Sequence, residues 1–353
     1  MKKINKILII RFRQMGDAIL TTALCSTMKR SFPDAEIHLV LNAGLVPALE
    51  GHPDIDRIIP FRKEDNKPFG AYLKKVWKVV HDERYDVIVD MRATVRTLLF
   101  SLFSLHTPYR IGRKKGYAGF LLNHQVDVYD KKLKGDMAQR NLLYATFLEK
   151  EAPIQYTKDF KLYLKKGEKE EFRRYMEQEG IDFTRPVMLV GVTTKLPHKK
   201  WEEGMMKQVI QRILERYKNL QLIFNYAPGA EEADARRMFE ALGRPTAVKI
   251  EVQARSLRQL MALCSNCSFY FGNEGGARHM VQALGIPSYS IYSPKVNKSI
   301  WLPSNEVLAE GICPDDVLPS NETEEMDYWE HFGLITPEVV CSKLFPLLDN
   351  YLS

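Results

Sequence analysis

"KILIIRFRQMGDAIL", residues 6–20, opens with an apolar run that reads as a buried strand and passes through Gly16 and Asp17 into a helix expected from about Asp17 to Ser31. In many α/β proteins such a first turn is glycine-rich and holds a phosphate on the helix N-terminus. Here the turn carries a carboxylate, flanked by Arg11 and Arg13. Two roles suit Asp17. It can cap the helix and favour its dipole, or it can act as a general base. A carboxylate repels phosphate, so a nucleotide is expected elsewhere in the chain.

The same alternation of short apolar runs and longer amphipathic stretches continues outward. "EIHLVLN" (36–42), "RIIPF" (57–61), "DVIVDM" (86–91) and "RIG" (110–112) read as strands. "FGAYLKKVWKVVHDERY" (69–85) reads as a helix with Leu73, Val76, Trp77 and Val80 on its inner stripe, and "TVRTLLFSLF" (94–103) and "DMAQRNLLYATFLEKE" (136–151) as further helices. "KEAPIQYTKDF" (150–160) has no clear period. A second series follows, with strands at "PVMLVGV" (186–192), "LQLIFNY" (220–226), "AVKIE" (247–251), "SFYFGN" (268–273) and "PSYSIYS" (287–293) between helical stretches. Residues 296–335 read as loop-rich, and 336–352 as a closing helix interrupted by Pro346. The fold class is α/β, with two Rossmann-like, doubly wound domains facing a central cleft. The expected bounds are 1–158, 159–335 and a C-terminal helix over 336–353 that packs back across the domains. Ligands bind such sheets beyond the carboxyl ends of the strands, so the loops after "KILII", "PVMLVGV" and "SFYFGN" should line the cleft.

The chain has 353 residues and a formal net charge of +7. That length suits two domains. No apolar run is long enough to span a bilayer, and "MKKINKILII" reads as a strand instead of an export signal. Five scattered cysteines fit a reducing compartment, and Cys264 and Cys267, though spaced C-x-x-C, lack the second pair a zinc site needs. The basic excess suggests an anionic partner. No basic run interleaves with a stacking platform, so nucleic acid is not expected.

Three stretches of the second half carry chemistry. "NEGGARH" (273–279) brings Gly275 and Gly276 to a helix start, where free N–H groups suit an anion, and His279 lies one turn in. The pattern is neither G-x-G-x-x-G nor a P-loop, and a plain tight turn fits it equally well. "GVTTKLPHKKW" (191–201) offers Thr193, Thr194 and Lys199 after a strand, suited to a diphosphate or to a polar loop anchored by Trp201. Glu231, opening the helix after "NYAPGA", can favour the dipole or hold a ribose diol.

Together these pieces resemble the ADP-heptose:lipopolysaccharide heptosyltransferases, which are inverting, metal-independent glycosyltransferases of the GT-B fold. "KILIIRFRQMGDAIL" and its continuation resemble the family's opening M-G-D turn, "QRNLLYA" (139–145) its R-N helix, "VTTKLPHKKW" its Thr-Thr…Lys-x-Trp loop and "GNEGGARHMVQALGIP" its second donor loop. The resemblance implies Asp17 as catalytic base. It implies donor contacts from Thr193, Thr194, Lys199, Glu231, Glu274, Gly275, Gly276 and His279. An acceptor's anionic groups are expected at Gly16, Arg11, Arg13, Arg62 and Arg113. It further implies a nucleotide-sugar donor as substrate, a lipopolysaccharide core acceptor, no metal or cofactor, and a cytoplasmic enzyme working at the inner-membrane surface. Glu274, Gly275 and Arg278 depart from the family's Asp, Ser or Thr, and small residue; Arg255 and Asp136 also depart. Another nucleotide-sugar donor, another envelope glycan acceptor, a sugar epimerase and a non-catalytic binding protein on the same frame are the alternatives.

Overall fold

A computed structural model of the chain describes residues 3–319, 322, 323 and 325–352. The chain forms two compact units that meet in sequence between Tyr163 and Leu164.

In the first unit, six strands form one parallel sheet: β1 (Lys6–Arg11), β2 (Glu36–Asn42), β3 (Arg57–Phe61), β4 (Val87–Asp90), β5 (Tyr109–Arg113) and β6 (His124–Val126). Their order is β3-β2-β1-β4-β5-β6, so the winding reverses between β1 and β4. Ile7, Leu8, Ile9 and Ile10 are buried on both faces of the sheet, which is why this strand reads as an unbroken apolar run. The helix Met15–Ser31 that follows is buried along nearly its whole length.

The second unit holds β7 (Val187–Gly191), β8 (Gln221–Phe224), β9 (Phe269–Asn273), β10 (Ser288–Ile291) and β11 (Ala309–Ile312), again all parallel. The order β11-β10-β9-β7-β8 puts its reversal between β7 and β9. Both units are therefore doubly wound, and each has a switch point where ligands of such sheets bind. At the second one the backbones come close. Gly272 has φ +146°, and a Cβ there would lie 2.5 Å from the Gly191 carbonyl oxygen.

Several expectations need correction. The first unit runs past residue 158 because Thr157 exchanges hydrogen bonds with Thr27 Oγ1, and Phe160 and Leu162 are buried. The closing helix, Pro337–Tyr351, gives Val340, Cys341, Leu344 and Leu348 to the core of the second unit. It runs through Pro346, which is exposed, as is Ser342, whose carbonyl loses its partner. The helix Phe69–Glu83 buries Tyr72, Val76 and Val80, while Trp77 is exposed and stacks on His81. Tyr72 can be buried because its hydroxyl donates to the Arg96 carbonyl. "AVKIE" makes only an isolated bridge from Val248 to Leu222. The R-N helix ends at Leu142, before a 3-10 turn at Thr146–Leu148. β6 and β11 were not expected. All five cysteines are free and buried. No helix among the described residues is long and apolar enough to cross a membrane.

The end of the first unit is held by His52, whose ring meets Tyr163 edge-on and whose Nδ1 accepts from the Asp54 N–H. Burial drives its pKa down to about 4. The unfolded chain binds this proton near pH ~6.5, so the stability that the neutral ring contributes is lost as pH falls from there toward about 4. Denaturant midpoints at pH 7 and 5 should therefore drop further for the wild-type chain than for His52→Gln. Equal drops would contradict this.

Candidate active site

Asp17 is the third residue of its helix and is 5% exposed. It is not the cap: Gln14 holds that position and makes no side-chain cap bond. Its Oδ1 instead accepts from Arg11 Nη2 at 2.5 Å, and its Oδ2 lies 4.0 Å from Arg13 Nε. Arg11 is the last residue of β1. At 1% exposure it supports the carboxylate and reaches the Met91 carbonyl at 3.3 Å. It is therefore a buried partner of Asp17, where a ligand contact was expected. Gly16, beside it, is buried in the same first turn.

Further cations crowd the same sheet end. Burial, then Arg13 and Arg11, lower the pKa of Arg92. Arg13 Nη2 meets the Tyr129 hydroxyl at 3.5 Å, and the Arg113 guanidinium lies 4.1 Å over the Tyr129 ring. Arg140 fixes that tyrosine's loop by donating to the carbonyls of Val128, Asp130, Leu133 and Gly135. Its neighbour Asn141 donates to the Leu20 carbonyl, and Asp136 forms a capping box with Gln139. The R-N helix thus braces the site from behind. Asp90, at the end of β4, accepts from the Arg92 and Ala93 N–H groups, and burial pushes its carboxyl above the usual range. A cavity of about 160 Å³ adjoins, lined by Phe12, Asn42, Tyr72, Arg92, Thr94, Arg96 and Thr97. Arg62 is exposed beyond the end of β3, two strands from β1.

The second unit gathers a different set around its switch point. Thr193 Oγ1 donates to Glu231 Oε2 at 2.9 Å, joining the loop after β7 to the helix Ala230–Ala241. Thr194 turns back to the Leu196 carbonyl at 2.6 Å. Lys199 Nζ meets Glu274 Oε2 at 2.6 Å, and the other oxygen of Glu274 lies 3.9 Å from His279 Nε2. Asn273 ties the two loops, accepting from the Trp201 N–H and donating to the Gly191 carbonyl. Gly275 precedes the helix Gly276–Ala283 in extended backbone, with open space where a Cβ would be. Burial, then Arg278 and Lys199, hold the His279 pKa well below the ordinary value, so its imidazole is neutral.

Arg278 is fully buried. Its guanidinium donates to the Trp301 carbonyl and to Gln282 Oε1, and it lies against the His279 ring. Gln282 in turn holds the Pro303 carbonyl. No carboxylate among the described residues pairs with Arg278, whereas Lys199 and Glu274 offset each other. With Glu231 counted, the charges of Lys199, Arg278, Glu274 and Glu231 balance, and Arg278 is a buried positive charge that is itself out of reach. Arg255 is exposed, and its N–H donates to Gln259.

Sequence reasoning singled out Asp17, Arg13, Arg113, Thr193, Lys199, Glu231, Glu274 and His279, and the structure groups the first three in one unit and the rest in the other. It missed Arg92, Tyr129, Asn273 and the brace formed by Arg140. The acid-free basic run before Asp127 was the one available signal for Arg92.

The family model of glycosyltransferase family 9 (heptosyltransferase) matches residues 73–309. The chain belongs to that family. It is similar to lipopolysaccharide heptosyltransferase 1 of Campylobacter coli, 20% identical over 313 residues, or 87% of this chain and 90% of the relative. A crystal structure of a family 9 glycosyl transferase from Veillonella parvula superposes with a TM-score of 0.84 at 17% identity, covering 99% of both chains. The ADP-heptose lipopolysaccharide heptosyltransferase II of E. coli gives 0.75 at 21% identity, covering 98% of this chain and 99% of that one. The protein is a glycosyltransferase on two Rossmann-like domains, the frame of the heptosyltransferases it resembles.

A buried cation without a carboxylate is costly in the empty protein and useful to an anionic ligand. Arg278→Met removes that charge together with the donors to Gln282 and the Trp301 carbonyl, so the unliganded denaturation midpoint should fall only modestly, relief of the buried charge offsetting the lost hydrogen bonds. It should weaken nucleoside diphosphate binding roughly tenfold, as one charge removed at intermediate dielectric would. A large loss of stability with unchanged affinity would contradict this.

Proposed function

We propose that the enzyme transfers a heptose from ADP-heptose to a lipopolysaccharide inner core with inversion at the anomeric carbon, using Asp17 as base and no metal. The observation that carries this reading is the Asp17 carboxylate itself. One oxygen is bound to Arg11, the other lies beyond hydrogen-bond reach of Arg13, and cationic side chains stand around it. In the reaction, Asp17 takes the proton of an acceptor hydroxyl as that oxygen bonds to the anomeric carbon. The bond from that carbon to the diphosphate oxygen breaks, and the electron pair leaves with the nucleoside diphosphate.

The second unit's groups suit that leaving group. The N–H groups at Gly275–Gly276 and the Lys199 ammonium suit the diphosphate's negative charge, with buried Arg278 adding to the field without touching it, which is how such a site replaces a metal. Glu231, held by Thr193, suits a ribose diol. Neutral His279 serves as a hydrogen-bonding group. Arg13, Arg92 and Arg113 suit the acceptor's phosphate or carboxylate groups.

Gly275 and Arg278 favour one second reading, the same chemistry with a different nucleotide sugar. Gly275 removes a hydroxyl, and Arg278 adds a charge that acts on any diphosphate alike.

A donor panel of ADP- and UDP-sugars with core oligosaccharide acceptors, read by mass spectrometry, decides between the two. Transfer is expected from ADP-heptose. Asp17→Asn keeps an acceptor for Arg11 and loses the base, so turnover should fall about 10²–10⁴-fold. Wild-type turnover in that variant would overturn the base assignment. Transfer from another sugar alone would overturn the donor.

A further inference from the structure

The stretch that leads to Lys199 has little burial to hold it. Lys195, Leu196, Pro197 and His198 are all exposed. Lys199 and Lys200 donate their N–H groups to the Leu196 and Pro197 carbonyls and close a single 3-10 turn. Such a turn is short and its hydrogen bonds are poorly aligned, so outside ties decide its shape. Its two lysines are adjacent and alike in charge. Lys200 Nζ goes to Glu203 and Asp234, at 3.1 and 2.7 Å, while Lys199 Nζ goes to Glu274. The conformation of the turn therefore decides which ammonium stands beside Glu274 and the helix start at Gly276.

Two of those ties come from one segment, inside the region 296–335 that reads as loop in the sequence. The helix Tyr328–Gly333 is capped by Asp327, whose side chain accepts from the Trp329 and Glu330 N–H groups. At six residues it is too short to persist alone, and Phe332 and Ile335 pin it to the core of the second unit. From there it reaches the turn at two points. The Tyr328 hydroxyl donates to the His198 carbonyl at 2.6 Å, immediately before Lys199. The Ile335 carbonyl accepts from the Trp201 indole N–H at 3.1 Å, just after the turn. The Tyr328 ring is itself braced: it meets Trp329 and Phe332 edge-on, and the Lys295 ammonium lies 5.8 Å from its centre.

Trp201 is buried and its backbone N–H is held by Asn273, so the far side of Lys199 is fixed twice. The near side takes its tie from the Tyr328 hydroxyl. We propose that Tyr328 is a positioning residue for the transfer reaction: its hydroxyl holds the turn that presents Lys199 to the donor's diphosphate. Tyr328 acts through Lys199 and need not touch the donor. The inference rests on the reading of this site as the one that takes the diphosphate.

Tyr328→Phe tests it in the full chain, because it removes the hydroxyl and keeps the ring against Phe332. Hydrogen exchange without ligand should quicken about fivefold at the Lys199 and Lys200 amides, as loss of one hydrogen bond would allow, and stay unchanged in β7 and β9. Calorimetry with ADP and with UDP should show the tighter of the two weakened about fivefold. In a Lys199→Met chain the same substitution should leave that affinity unaltered. Unchanged exchange at the two amides, or wild-type binding that Tyr328→Phe leaves unchanged, would overturn the inference alone. So would an equal loss in the Lys199→Met chain, since the tyrosine would then support the unit as a whole without acting through Lys199. A wild-type chain that binds neither nucleotide would overturn the reading of the site, and this inference with it.

Discussion

A buried ion pair between Arg11 and Asp17 governs how the first strand becomes the first helix. β1 is central in its sheet and buried on both faces, so its last side chain must end in the protein interior. Arg11 can end there because Asp17, in the first turn of the helix, meets it. Taking both groups out of water is costly, and the pair is retained only with good geometry. The Met91 carbonyl takes a second hydrogen bond from Arg11, and Arg13 Nε stands 4.0 Å from the other carboxylate oxygen. A carboxylate fixed this way has one oxygen committed to structure and one left for chemistry.

The second unit solves a different electrostatic problem with similar parts. Its switch point lies between β7 and β9, where Gly272 lets the two backbones approach and Asn273 locks the loops together. Lys199 and Glu274 hold each other, Thr193 holds Glu231, and Arg278 remains as an unmatched buried charge. Arg278 also reaches Trp301, so the same side chain that sets the charge anchors the loop that follows β10.

Much of this was legible in the residues themselves. Long apolar runs such as "KILII" and "PVMLVG" marked the central strands because burial on both faces removes the alternation that weaker strands show. The short outer strands β6 and β11 were not legible: they are only partly buried and leave little apolar signal. "AVKIE" misled for the opposite reason, since its apolar residues are buried without joining a sheet beyond one bridge. Trp77 misled because periodicity does not say which neighbouring stripe is covered. In the site, Asp17 and the glycines stood out because they break the local pattern. Arg92 and Tyr129 did not, because folding brings them to Asp17 and to Arg13 from segments far away in sequence. Arg11 was read as a ligand contact because a sequence shows an arginine's charge and not its burial.

The central claim is that Arg11 and Asp17 act as one unit in sugar transfer. A double-mutant cycle on turnover with ADP-heptose, using Arg11→Met, Asp17→Asn and both together, measures this most directly. If Arg11 works only through the carboxylate, the double variant should be no slower than Asp17→Asn alone. Losses that multiply across the two positions would contradict the account.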